Sequence, residues 1–177
     1  VNKIFEMDFD TLKTSLKLSE KQIRAILSLK LKTDELHEEY LSLPDRKIRF
    51  ILPFEDDYPQ KLLNIRDYPF GIFVKGDVPQ NKKSVAIVGS RSASEYGLGM
   101  AKFIAKELAQ SGVDIISGMA LGVDTKAHEG AVEGVGKTYA VLGTGVNVCY
   151  PESNFNLYNK LCEKDFGGVI SEFPLGT

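Results

Sequence analysis

The chain of 177 residues contains no apolar run approaching the roughly 20 residues needed to cross a bilayer. Its first residues also lack the basic-then-apolar pattern of a secretory signal. Together these absences predict a cytoplasmic protein with no membrane role. Cysteine is scarce: Cys149 and Cys162 form no C-x-x-C pair and have no histidines clustered beside them. A disulfide framework and a zinc site are therefore disfavoured, two buried thiols are expected, and no metal or cofactor is anticipated. There is no excess of basic charge either. The net charge is −2, residues 84–177 carry 7 Lys and Arg against 10 Asp and Glu, and residues 1–83 carry 15 against 14. Binding to a polyanion by bulk charge is excluded, so any such contact must come from a local pocket.

Three familiar signatures fail as well. The dinucleotide fingerprint needs a second glycine two positions after Gly89, where this chain has Arg91. The Walker pattern around Gly136-Lys137-Thr138 needs a glycine at position 131, which is Ala131, and a helix after the loop, whereas Thr138 opens an apolar strand pattern. Ser117, Asp124 and His128 suggest a serine hydrolase, with Asp124 and His128 four apart on one helical face. However, the G-x-S-x-G elbow is absent, and Asp124 is expected to cap its helix and orient His128, unless a backbone carbonyl does so.

With 43% apolar residues the chain can bury a core. Residues 1–44 read as a small helical domain. Ser19 and Gln22 have capping-box spacing, with Ile23, Ile26, Leu27 and Leu31 on one face behind them. A second helix from Thr33 is expected to bury Leu36, Tyr40 and Leu41 and to end before Pro44. From residue 45 the period changes. Strands are expected at 47–52 and 70–75, a helical turn at 61–65 and a polar linker at 79–83. Strand and helix then alternate: strands at 84–88, 113–117, 138–143 and 169–171, and helices from about Gly97 (through Met100, Phe103, Ile104 and Leu108), at 124–135 and at 153–163. That alternation predicts an α/β fold with a Rossmann-like, doubly wound, mainly parallel sheet over residues 45–177.

In such folds ligands bind beyond the C-terminal ends of the strands. The loops 89–96, 117–124 and 143–151 sit there and are rich in glycine and small hydroxyls. The first is the most informative. A helix N-terminus carries unpaired N–H groups and the positive end of the helix dipole, so a cation such as Arg91 beside it is unfavourable unless an anion joins it. The competing reading is that Ser92 or Ser94 merely caps the helix while Arg91 points into water.

In series these stretches resemble one family. They are Gly89-Ser90-Arg91 with Ser94 and Tyr96-Gly97, Ser117-Gly118-x-Ala120-x-Gly122-Val-Asp124 with Ala127-His128, Gly136-Lys-Thr138, Val141-Leu-Gly143-x-Gly145, Tyr150-Pro151 with Asn154, and Ser171-Glu172-x-Pro174-x-Gly176. With the lead-in Asp57-Tyr58-Pro59, Leu62 and Phe73-Val-x-Gly76, they resemble DNA-processing protein A (DprA, also called Smf) over roughly residues 45–177. The resemblance implies a non-enzymatic protein. It would bind single-stranded DNA, typically as a homodimer, protect incoming strands in natural transformation and help load a RecA-class recombinase. It makes Arg91 a phosphate contact, with Gly89, Ser90 and Ser94 beside it and Ser117, Gly118, Gly122, Gly143 and Gly145 in the neighbouring loops. Tyr96, Gly97, Asp124, His128 and Tyr150 become supporting residues. Leu121 stands where the family commonly carries Arg or Lys, which predicts weaker DNA binding or a substitute cation such as Lys126. The family's sheet also continues past the position of Thr177, so this chain is expected to be part of a longer one. A nucleotide-binding or nucleotide phosphoribohydrolase protein of the related lysine-decarboxylase-like group is the alternative. That group's P-G-G-x-G-T-x-x-E signature is met only by Gly143-Thr144-Gly145. A scaffold whose loops bind nothing is the blandest possibility.

Overall fold

A computed structural model of the chain describes residues 6–79, 83–163 and 165–177, so most of the expected 79–83 linker lies outside the described residues. The chain divides into two compact units between Arg46 and Lys47.

The first unit holds helices α1 (Phe9–Ser15), α2 (Glu20–Lys30) and α3 (Thr33–Ser42). Ser19 and Gln22 close the expected capping box, with Ser19 N donating to Gln22 Oε1 at 2.9 Å. Leu12, Ile23 and Leu43 are buried. Four residues here are placed differently from expectation. Leu31 is 89% exposed, and Leu36, Tyr40 and Leu41 face solvent. The three short helices among the described residues have too little interior to take every apolar residue their periodicity offers.

The second unit is built on one six-stranded sheet of β1 (Ile48–Ile51), β2 (Ile72–Gly76), β3 (Ser84–Ala86), β4 (Asp114–Ser117), β5 (Thr138–Val141) and β6 (Gly167–Ser171), in the order β1-β2-β6-β5-β4-β3. Strands β3 to β6 run parallel, while β1 and β2 join antiparallel beside β6. This is the Rossmann-like, mainly parallel α/β sheet that the alternating pattern predicts. The crossovers are α4 (Glu95–Gln110), α5 (Val123–Glu133) and α6 (Phe155–Leu161). Each advances by one strand in the same direction, so the loops after β3, β4 and β5 gather on one edge.

Alternation along the strands sorts the core. Ile115 meets Ala105, Ala109, Ala127 and Ala131 of α4 and α5. Its neighbour Ile116 points the other way and joins Tyr58, Ile72, Val74, Tyr139 and Ile170. The buried stripe of α4 is Ala101, Ala105 and Ala109, not Phe103 and Ile104, which are exposed. Small residues bring the two helices close enough that a Cβ added at Gly134 would stand 2.7 Å from Lys106 O, and one at Gly130 would fall against Lys102 O.

The phosphate-loop look-alike also gains an explanation. Gly136 N donates to Ala131 O and Val135 N to Val132 O, both at 3.1 Å, with Val135 at φ +57°. That paired pattern is the Schellman stop of α5, so Gly134-Val135-Gly136 ends a helix instead of beginning one.

Candidate functional site

A cavity of about 250 Å³ opens at the edge where β3, β4 and β5 end. Arg91 contributes from the first loop, Gly118, Ala120 and Leu121 from the second, and Leu142, Gly143, Thr144, Tyr150 and Pro151 from the third. Parallel strands fix this convergence, because all three loops leave the sheet on the same side. Arg91 is exposed, and among the described residues no side chain or backbone group forms a hydrogen bond or ion pair with its guanidinium. Leu121 is 47% and Tyr150 64% exposed, so the rim offers an alkyl and an aromatic surface beside the cation.

Of the residues singled out from sequence, the cavity brings together Arg91, Gly118 and Gly143, with Tyr150 on the rim. A Cβ at Gly143 would meet nothing within 4 Å, so its backbone stays open to a ligand. The other glycines serve the walls. Gly122, at φ +82°, lets the second loop sit against the first, where a Cβ would stand 2.8 Å from Arg91 O. Gly89 is pressed on the Val123 side chain, and Gly145 backs onto Pro174 and Leu175.

The serines expected as donors have internal partners. Ser117 Oγ is buried and donates to Ile87 O at 2.7 Å, pinning β4 to the end of β3. Ser90 Oγ accepts from Ser92 N at 3.1 Å. Ser94 Oγ accepts from Gly97 N at 3.2 Å, making Ser94 the N-cap of α4, with Tyr96 exposed in the first turn. Lys126 is not part of the lining, and its ammonium pairs with Glu129 at 2.6 Å. A substitute for the cation missing at Leu121 is therefore not found there.

Asp124 and His128 also differ from expectation. The N-cap of α5 is Gly122, without a side-chain cap. Asp124 Oδ2 instead reaches back to accept the Gly118 N–H at 3.1 Å, which shapes the second loop. His128 is fully buried, and its partner is Thr138 Oγ1 at 2.7 Å, neither Asp124 nor a carbonyl. Burial lowers its pKa to about 3, so the ring is neutral. Ser117, Asp124 and His128 thus hold three separate bonds and form no nucleophile–base relay. The two thiols are half-buried, not fully buried. Burial pushes Cys162 up to about 11 and raises Cys149 as well, which leaves neither activated. Among the described residues no group of His, Cys, Asp and Glu forms a metal site, and no helix is long and apolar enough to cross a membrane.

Ala120, Thr144 and Asn154 entered the sequence reading only as motif members with no site role, yet the first two line the cavity and Asn154 is buried behind it. Short residues in a loop carry no periodic signal. Besides its place in the family motif, Asn154 is an amide just before a helix, but its side chain makes no cap.

A mainly parallel α/β sheet whose glycine-rich strand-end loops gather on one edge, with an arginine there that has no partner among the described residues, defines a Rossmann-like fold. Residues 49–177 match the family model for DNA recombination-mediator protein A, and the chain belongs to that family. It is 36% identical to protein Smf of Escherichia coli over 160 residues, covering 89% of this chain and 42% of that protein. It is also 36% identical over 143 residues to the DNA processing protein DprA of Streptococcus pneumoniae, covering 80% and 50%. The chain therefore spans half or less of the length of these two relatives. The crystal structure of the pneumococcal DprA superposes with a TM-score of 0.72 at 31% identity, over 87% of this chain and 53% of that one. A structure of DprA from Helicobacter pylori, described for its mode of binding single-stranded DNA, gives a TM-score of 0.62 at 26% identity, over 73% and 57%.

Proposed function

We propose that this chain is the single-stranded-DNA-binding part of a recombination mediator acting on DNA taken up in transformation. The observation that carries the reading is Arg91, a cation with no partner among the described residues, at the mouth of a cavity walled by Gly118 and Gly143. A guanidinium in that setting binds a phosphate through charge-assisted hydrogen bonds without needing a basic domain. Tyr150 on the rim offers a face on which a base stacks whatever its identity, which suits sequence-tolerant capture of single strands. The family relationship supports the same ligand, as one relative's structure is described for single-stranded DNA binding. We read the role as binding without catalysis, because the candidate triad of Ser117, Asp124 and His128 is tied up in unconnected bonds. Homodimerisation and hand-over of the strand to a RecA-class recombinase belong to the same proposal, in a cytoplasmic setting.

The test is fluorescence anisotropy with a labelled oligo-dT at several salt concentrations, beside incubation with AMP. Binding that weakens as salt rises, with no adenine released, supports the reading. Release of adenine would instead favour a nucleotide phosphoribohydrolase.

A further inference from the structure

The cavity has two walls that are distant in sequence: Gly118–Leu121 after β4, and Gly143–Pro151 after β5. The first contains Met119, whose side chain is fully buried and whose backbone sits at φ +60°, a region costly for any residue with a Cβ. Such a conformation persists only where its surroundings hold it. The hold comes from the other wall. Asn154, three residues past Pro151 and 6% exposed, donates through Nδ2 to Met119 O at 2.9 Å and to Thr125 Oγ1 at 2.8 Å.

The protons of this cluster can be assigned completely. Thr125 gives its single hydroxyl proton to Ala120 O at 2.7 Å, so its oxygen accepts from Asn154. Met119 O can only accept, so the amide nitrogen, not its oxygen, must face it. Three consecutive links therefore run from the second wall through Asn154 and Thr125 to Met119 and Ala120 on the first. Asn154 occupies the position before α6 where an asparagine commonly caps, yet its side chain makes no cap there.

We propose that Asn154, acting through Met119 and Thr125, is a positioning residue for the cavity. It sets the spacing at which Ala120 and Leu121 face Tyr150, and hence the space in which Arg91 meets its anion. The inference rests on the oligonucleotide reading above. Removing the amide leaves the buried Met119 O and the half-buried Thr125 Oγ1 without their donor and frees a strained residue to relax, which moves the wall.

The experiment measures oligo-dT affinity and thermal melting together, on the 177-residue chain. Asn154→Ala and Thr125→Val are expected to weaken binding about tenfold, while Thr125→Ser, which keeps the hydroxyl, restores wild-type affinity. Gly130→Ala, at the α4–α5 contact away from the cavity, is the stability control. It should lower the melting temperature without changing affinity. In a double-mutant cycle, Arg91→Ala should cost much less in the Asn154→Ala background than in wild type, because the two act on one geometry. If the wild type binds in an Arg91-dependent way and Asn154→Ala binds equally tightly, or if Gly130→Ala weakens binding as much as Asn154→Ala, the positioning role is overturned and the binding site stands. A wild-type chain that ignores the oligonucleotide overturns the binding assignment and this role with it.

Discussion

Thr138 Oγ1 stands 2.7 Å from His128 Nδ1 and gives its own proton to Ile115 O at 2.9 Å, so the imidazole must be the donor between them. The proton is therefore on Nδ1, and Nε2 is left as a buried acceptor with no hydrogen-bond partner among the described residues. The side chain that looked like a catalytic base is a neutral tie between α5 and the sheet, with its other nitrogen uncompensated.

That tie predicts an acid-sensitive fold. The folded pKa of His128 is depressed to about 3 from the ordinary 6.5, so the unfolded chain binds the extra proton first. The contribution is fully present above about pH 6.5 and is lost as pH falls from there towards 3, at about 1.4 kcal/mol per pH unit. Urea unfolding at pH 6.5 and 5 should show wild type losing about 2 kcal/mol more than His128→Gln. Equal losses would contradict the assignment.

A second prediction concerns the stop of α5. Val135 is 85% exposed and holds φ +57° at the position where helices prefer glycine. A β-branched residue is strained there and has no buried contacts to lose. Val135→Gly should raise stability by about 1 kcal/mol in thermal or urea unfolding, despite the greater freedom glycine gives the unfolded chain. A lower melting temperature would show that Val135 carries packing not visible in its exposure.

Much of the architecture could be read from the chain because it depends on patterns that repeat. Period-two and helical stretches marked out the succession of strands and helices, and Ser19-x-x-Gln22 announced its own cap. The site was legible to the extent that topology dictates it: loops after parallel strands must share an edge, so Arg91, Gly118 and Gly143 were expected together and are together. What could not be read were the partners of individual polar groups. Ser117 bonding to Ile87 O and Asn154 bonding to Met119 O link residues about thirty or more apart in sequence, and no local spacing encodes them. The face that α4 buries was not legible for a related reason. Phe103 and Ile104 carry the larger hydrophobic signal, but the close approach that Gly130 and Gly134 permit selects the alanine stripe instead.

The rim of the cavity gives a gain-of-function prediction. Leu121 lines the pocket, is 47% exposed and adds no charge. Leu121→Lys should place a second cation opposite Arg91. Oligo-dT affinity should rise about threefold to tenfold, and the slope of log affinity against log salt should steepen by about 0.7, the increment for one more phosphate contact on a single strand. An unchanged slope would mean the strand does not pass Leu121.

Whether Arg91 grips a phosphate of single-stranded DNA is measured most directly by the salt dependence of oligo-dT binding for wild type and Arg91→Ala. Loss of one charge-assisted contact is worth about 1.5–3 kcal/mol, so the variant should bind roughly tenfold to a hundredfold more weakly. Its salt slope should be shallower by about 0.7. A variant that binds as tightly as wild type, with the same slope, would contradict the claim.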